Sequence, residues 1–173
     1  MLAGGIIAYP TESVFGLGCL PLERDAVKRL LALKRRSWSK GFLLIAAEIE
    51  QLEQFVTLPS GPLKKEILAS WPGPVTWSLP ARLRVPGWLS GGRPTLGVRI
   101  TAHPLARELC WRTRHALIST SANLSRRPPL RHVLQLRREF GAKLDYVLAG
   151  PLGDLSQPTM IRDGMTGEIL RPA

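Results

Sequence analysis

The sequence is poor in features that several protein classes require. Its 173 residues hold only two cysteines, Cys19 and Cys110, with no CxxC pair, which excludes a disulfide scaffold and a cysteine-held zinc site. No apolar run approaches the roughly 20 residues of a membrane-spanning helix. The start, MLAGGIIAYP, has no basic segment followed by a sustained apolar stretch, so no secretory signal is visible. A reducing, cytoplasmic setting fits these absences. Phosphate-loop, dinucleotide and nucleophile-elbow signatures (GxxxxGK[ST], GxGxxG after a strand, GxSxG) are missing, and His103, His115 and His132 lack metal-ligand spacing. Acidic residues are scarce as well: 13 Asp and Glu stand against 24 Lys and Arg, a net charge of +11. That imbalance favours anionic partners without choosing between a small phosphate ligand and a polynucleotide.

What is present is ordinary globular material, with 45% hydrophobic and 21% charged residues, in a length suited to a single domain over 1–173. Periodicity predicts strands at Gly5–Tyr9, Phe42–Ala47, Val75–Pro80, Leu96–Thr101, Ala116–Ser119 and Tyr146–Leu148, with short final strands near Thr159–Ile161 and Glu168–Leu170. Helices are predicted over Arg24–Arg36, where Val27, Leu30, Leu31 and Lys34 keep helical spacing, and over Glu48–Val56, Pro62–Trp71, Pro104–Arg112 and His132–Phe140. A Pro/Gly/Arg-rich loop joins the Val75 and Leu96 strands. Strands alternating with helices imply an α/β fold, and connections too short for a crossover helix make the open sheet mixed.

Three stretches could carry chemistry. Tyr9-Pro10-Thr11-Glu12-Ser13 follows a buried strand directly and runs into Val14-Phe15-Gly16-Leu17-Gly18; hydroxyls and glycines there suit a ligand turn or a plain backbone-bonding turn. Lys34-Arg35-Arg36 ends a helix, either complementing its dipole or clamping phosphate, with lysine as a point charge and arginine as a planar fork. Ser119-Thr120-Ser121-Ala122-Asn123 offers hydroxyls and an amide to a nucleotide, or caps a loop.

Taken in order, PTES…VFGLG, LKRR, VRIT and STSANLS, with the ending PTMIRDGMTGEILRP, resemble the YrdC/TsaC family of threonylcarbamoyl-AMP synthases from about Gly5 to Pro172. The distinctive pairs are KxR, here Lys34 and Arg36, and SxN, here Ser121 and Asn123. The resemblance implies a twisted α/β sheet around a deep basic cavity. It implies L-threonylcarbamoyladenylate synthesis from L-threonine, bicarbonate (or CO2) and ATP, with release of pyrophosphate. Partner proteins would then pass the group to an adenosine beside the tRNA anticodon. Lys34, Arg36, Ser121 and Asn123 would be catalytic and nucleotide-holding, with Thr95 and Arg171 also near ATP. Thr11, Arg99, Ser119 and Thr159 would surround threonine, with Arg99 on its carboxylate. Mg²⁺ would travel on the ATP phosphates, with no protein-held metal site.

Three features depart from the family pattern: Ser37 in place of a proline, Thr159 in place of a serine, and a start close to the first strand without the usual N-terminal helix. Two other readings stand beside this one. A non-catalytic RNA-binding module could use Arg82–Arg84, Arg126–Arg127 and Arg137–Arg138 with exposed Trp38, Trp77 and Trp88. A carbamoyl-adenylating domain of the hydrogenase-maturation type would share the fold, but such domains sit in longer, cysteine-bearing chains. The separating observation is whether Lys34, Arg36, Arg99, Ser121 and Asn123 converge on one concave site.

Overall fold

The computed structural model describes Met1 and residues 3–173. The chain runs β1 (Ile7–Pro10), β2 (Phe15–Gly18), α1 (Arg24–Lys34), β3 (Leu43–Ala46), α2 (Pro62–Ala69), β4 (Val75–Pro80), α3 (Gly87–Ser90) and β5 (Thr95–Ile100). It continues through α4 (Pro104–Thr113), β6 (Leu117–Ser121), α5 (Val133–Phe140), β7 (Tyr146–Val147), β8 (Met160–Asp163) and β9 (Ile169–Arg171). The strands join in one mixed sheet, ordered β7-β1-β2-β6-β3-β5-β4-β8-β9. Parallel pairing is confined to β1 with β7, β3 with β5 and β4 with β8. The expected α/β mixed sheet with flanking helices is therefore the observed architecture.

Alternation along the central strands decides what faces what. On β5, Leu96, Val98 and Ile100 enter the main core, while Thr95, Gly97 and Arg99 line a cavity on the opposite face. On β4, Trp77 and Leu79 go to the same core, and Thr76 and Ser78 to the same cavity. The main core is closed by Val27 and Leu30 of α1, Ile67 of α2 and Leu136 of α5. A smaller cluster, with Ile7, Tyr9, Ile45, Ala106 and Leu117, packs α4 against the sheet.

Three elements differ from the sequence expectation. Phe15–Gly18 is a strand rather than a turn, although its Gly16 still lines the cavity: it pairs with β1 and β6, and a Cβ at Gly18 would run into the Ile118 carbonyl oxygen. Glycine is needed there for close backbone approach rather than for a loop. Glu48–Val56 is a 3-10 turn at Ile49–Gln51 followed by irregular chain, although Leu52, Phe55 and Val56 are buried at helix-like spacing. Its backbone is drawn to the end of β4 instead, through Thr57 N to Pro80 O at 2.9 Å and Arg82 N to Phe55 O at 2.9 Å. Finally, the loop after β4 contains the short helix α3.

Candidate functional site

Helix α1 sets up the first half of the site. Val27, Leu30 and Lys34 share its buried face, so the lysine is carried inward with the apolar residues. Arg35 then adopts the left-handed conformation (φ 48°), with its N–H on Ala32 O at 3.0 Å and the Arg36 N–H on Leu31 O at 3.0 Å. This αL cap turns the chain so that Arg36 leaves the helix toward the cavity. Ser37 follows at φ −65°, the value a proline would fix, and its Oγ accepts from Ser39 N at 3.3 Å to cap the 3-10 turn Trp38–Lys40.

The end of β6 supplies the second half. Lys34 Nζ donates to Ser121 O, to Asn123 O at 2.9 Å and to Asn123 Oδ1 at 3.0 Å. Ser121 Oγ donates to Asn123 Oδ1 at 2.7 Å, and Asn123 Nδ2 to Arg127 O. Burial, reinforced by the charge of Arg36, pushes the Lys34 ammonium down to about 7. The lysine thus ties the SxN segment to α1 through three oxygens. Its ammonium has left water, and the oxygens of this segment replace its hydration.

A cavity of about 500 Å³ opens between these halves, within the roughly 300–1,000 Å³ usual for small-molecule sites. Thr11, Arg36, Thr95, Arg99, Ser119, Ser121, Thr159 and Arg171 all line it. Of the residues expected at the site, only Lys34 and Asn123 stand behind its wall. Lys40 and Arg93 also line it, and no motif in the sequence marks them. Arg93 Nη2 donates to Ser39 O and Lys40 O, each at 3.1 Å, and Arg36 Nη2 to Gly41 O at 3.0 Å, so two guanidiniums brace one short turn.

Arg36 and Arg99 share a feature: each has a buried Nε with no protein partner among the described residues. Burial, then the nearby charge of Arg93, lowers the Arg36 proton affinity; burial, then Arg99, lowers that of Arg171. Arg36, Lys40, Arg93, Arg99 and Arg171 thus gather like charge around one cavity, with guanidinium donors to spare. Hydroxyls line the same cavity. Thr11 Oγ1 donates to Val14 O at 2.6 Å, Ser78 Oγ to Thr95 Oγ1 at 2.9 Å, and Arg171 Nη2 to Thr159 O at 2.6 Å. Thr76 Oγ1 and Thr159 Oγ1 lie 3.5 Å apart.

Other groups fall away from the chemistry. Burial pushes the Cys19 and Cys110 thiols up to about 12, which removes them as nucleophiles. Among the described residues, no cluster of His, Cys, Asp and Glu could hold a metal ion, and no helix is long and apolar enough to cross a membrane. Trp77 is fully buried and Trp88 half-buried, leaving Trp38 as the exposed member of the trio named for base stacking. Arg82, Arg84, Arg126, Arg127, Arg137 and Arg138 lie exposed on the surface.

Comparison with known proteins adds to this geometry. A family model covering Sua5, YciO and YrdC, described as telomere recombination, matches residues 1–173. A threonylcarbamoyl-AMP synthase of Nitrosococcus oceani is 55% identical over 97% of this chain and 91% of its own. Its counterpart in Coxiella burnetii is 52% identical over 97% and 90%. Among solved structures, P. abyssi Sua5 complexed with L-threonine superposes with a TM-score of 0.87 at 32% identity. That alignment covers 98% of this chain but only 51% of the Sua5 chain, so the sequence spans about half of that longer protein.

Proposed function

Because the chain belongs to the Sua5/YciO/YrdC family, we propose that it is a threonylcarbamoyl-AMP synthase whose one cavity holds both the amino acid and ATP. The observation that carries this reading is convergence: residues drawn from β5, β6, β9, the β1–β2 turn and the segment after α1 meet around a single cavity.

The chemistry accounts for the residue types. The amine of L-threonine combines with bicarbonate to give a carbamate, a C–N bond forming as water leaves, and a carbamate oxygen attacks the α-phosphorus of ATP. A new P–O bond forms there while the bond to the β-phosphate breaks, and pyrophosphate leaves. No covalent enzyme intermediate is required, so the protein supplies positioning and fixed positive charge. Arg99 holds the threonine carboxylate, with Thr11, Ser119 and Thr159 around the rest of the amino acid. Arg36, helped by Lys40 and Arg93, faces the phosphates and the departing pyrophosphate. Ser121 meets the nucleotide from the SxN segment, in the position that Asn123 and Lys34 fix from behind, and Thr95 and Arg171 complete that side. Mg²⁺ enters as part of the ATP substrate, carried by phosphates and water, because no carboxylate lines the cavity among the described residues. The adenylate then serves proteins that transfer the threonylcarbamoyl group to tRNA.

The purified protein with ATP, Mg²⁺ and bicarbonate is expected to release pyrophosphate only when L-threonine is added, and far less with L-serine. Equal release without an amino acid would contradict the assignment.

A further inference from the structure

One buried carboxylate stands next to this cluster of cations. Among the described residues, Arg99–Glu12 is the only salt bridge that includes a cavity-lining cation. Both side chains are withdrawn from water, at 7% and 9% exposure. Glu12 Oε2 accepts from Arg99 Nη2 at 3.0 Å, and Oε1 accepts from Thr101 Oγ1 at 2.7 Å and Ala102 N at 3.3 Å. Burial alone would raise the carboxyl's proton affinity, but Arg99 and these donors together lower it, so it stays ionised. Thr101 is held in turn, its Oγ1 accepting from His103 N at 3.2 Å.

The backbone of Glu12 is fixed as firmly. Leu155 N donates to Glu12 O at 3.0 Å and Gly153 N to Thr11 O at 3.0 Å. That segment passes so close that a Cβ on Gly153 would stand 2.7 Å from the Glu12 oxygen. Glu12 therefore has one orientation, set from three directions. It takes only Nη2 of Arg99, while the buried Nε of the same guanidinium has no protein partner among the described residues.

We propose that Glu12 is a positioning residue of the amino-acid subsite, holding Arg99 by one nitrogen so that its remaining N–H groups face the carboxylate of the substrate. Glu12 itself does not touch the substrate. Its negative charge also offsets one of two neighbouring guanidiniums, Arg99 and Arg171, and so lets both occupy the same wall. The inference rests on reading Arg99 as the carboxylate partner of L-threonine.

The test uses the full chain and two readouts, threonine and ATP KM from pyrophosphate release, and L-threonine binding by calorimetry without ATP. Glu12→Gln keeps the size but puts an amide N–H₂ against the Thr101 and Ala102 donors, or against Arg99 if it is flipped. It is expected to raise the threonine KM and Kd by about tenfold or more while the ATP KM stays within about twofold. Thr101→Val, which removes one anchor of the carboxylate, should raise both threonine values by about threefold, and Thr101→Ser should restore them. If Glu12→Gln does not fold, the Thr101 pair decides. Threonine and ATP KM rising together in Thr101→Val, or neither moving in the folded variants, would overturn the proposal. Arg99→Lys separates the layers. An unchanged threonine KM there removes the carboxylate assignment and Glu12's role with it. A rise in Arg99→Lys without one in Glu12→Gln removes Glu12's role alone.

Discussion

Arg36→Ala is expected to lower kcat/KM for ATP by about a hundredfold to a thousandfold, the usual cost of deleting one preorganised donor from a charge-stabilising site. Arg36 has a buried Nε without a protein partner among the described residues, and it shares the cavity wall with Lys40 and Arg93. The negative charge it meets grows on the bridging oxygen as pyrophosphate departs, so the loss falls mainly on kcat. Its bond to Gly41 O and its stacking over the Phe42 ring at 5.6 Å are local and partly exposed. The thermal midpoint should therefore move by no more than about 5 °C. Arg36→Lys should recover only part of the rate, because a point charge replaces a planar fork. Steady-state kinetics beside a melting curve separate the two effects; full activity in a folded Arg36→Ala protein would remove the phosphate assignment.

The second large effect is structural and depends on pH. Lys34→Met removes the donor that satisfies Ser121 O, Asn123 O and Asn123 Oδ1, and should cost about 2–4 kcal/mol at pH 7. Activity should fall with it, since Ser121 and Asn123 lose their anchor to α1. Burial, then Arg36, lowers Lys34 from 10.5 to about 7 in the folded protein, so between those values the unfolded chain binds more protons. Stability attributable to Lys34 is then lost as pH falls toward 7 and gained as pH rises, by at most ~1.4 kcal/mol per pH unit. The stability gap between the native protein and Lys34→Met should widen from pH 7 to pH 9 in urea titrations. A constant or narrowing gap would mean that the buried amine is not the titrating group.

Lys34 also shows how much of the site is legible in the sequence. It occupies the same helical stripe as Val27 and Leu30, so the spacing already implies burial, though a basic KRR run at a helix end looks solvated. The alternation of Thr95, Gly97 and Arg99 with Leu96, Val98 and Ile100 likewise divides cavity from core by residue type alone. Strand β2 is hidden because Gly16 and Gly18 look like loop residues, whereas in the fold they allow Tyr9, Thr11 and the Ile118 backbone to approach closely. Glu12 sits in the marked PTES stretch, but nothing local there names its partners. Its partners Arg99 and Thr101 lie 87 and 89 residues away, and only the β1–β2 turn meeting β5 brings them together. Lys40 and Arg93 are similar, ordinary surface cations until two loops meet at one turn.

The most direct test of one cavity serving both substrates is a crystal structure with L-threonine and a non-hydrolysable ATP analogue bound together. The expected result has the threonine carboxylate on Arg99 and the phosphates against Arg36. The nucleotide should extend toward Ser121 and Asn123, with the threonine nitrogen facing the α-phosphate. A nucleotide bound elsewhere on the protein, or threonine bound away from Arg99, would contradict the account.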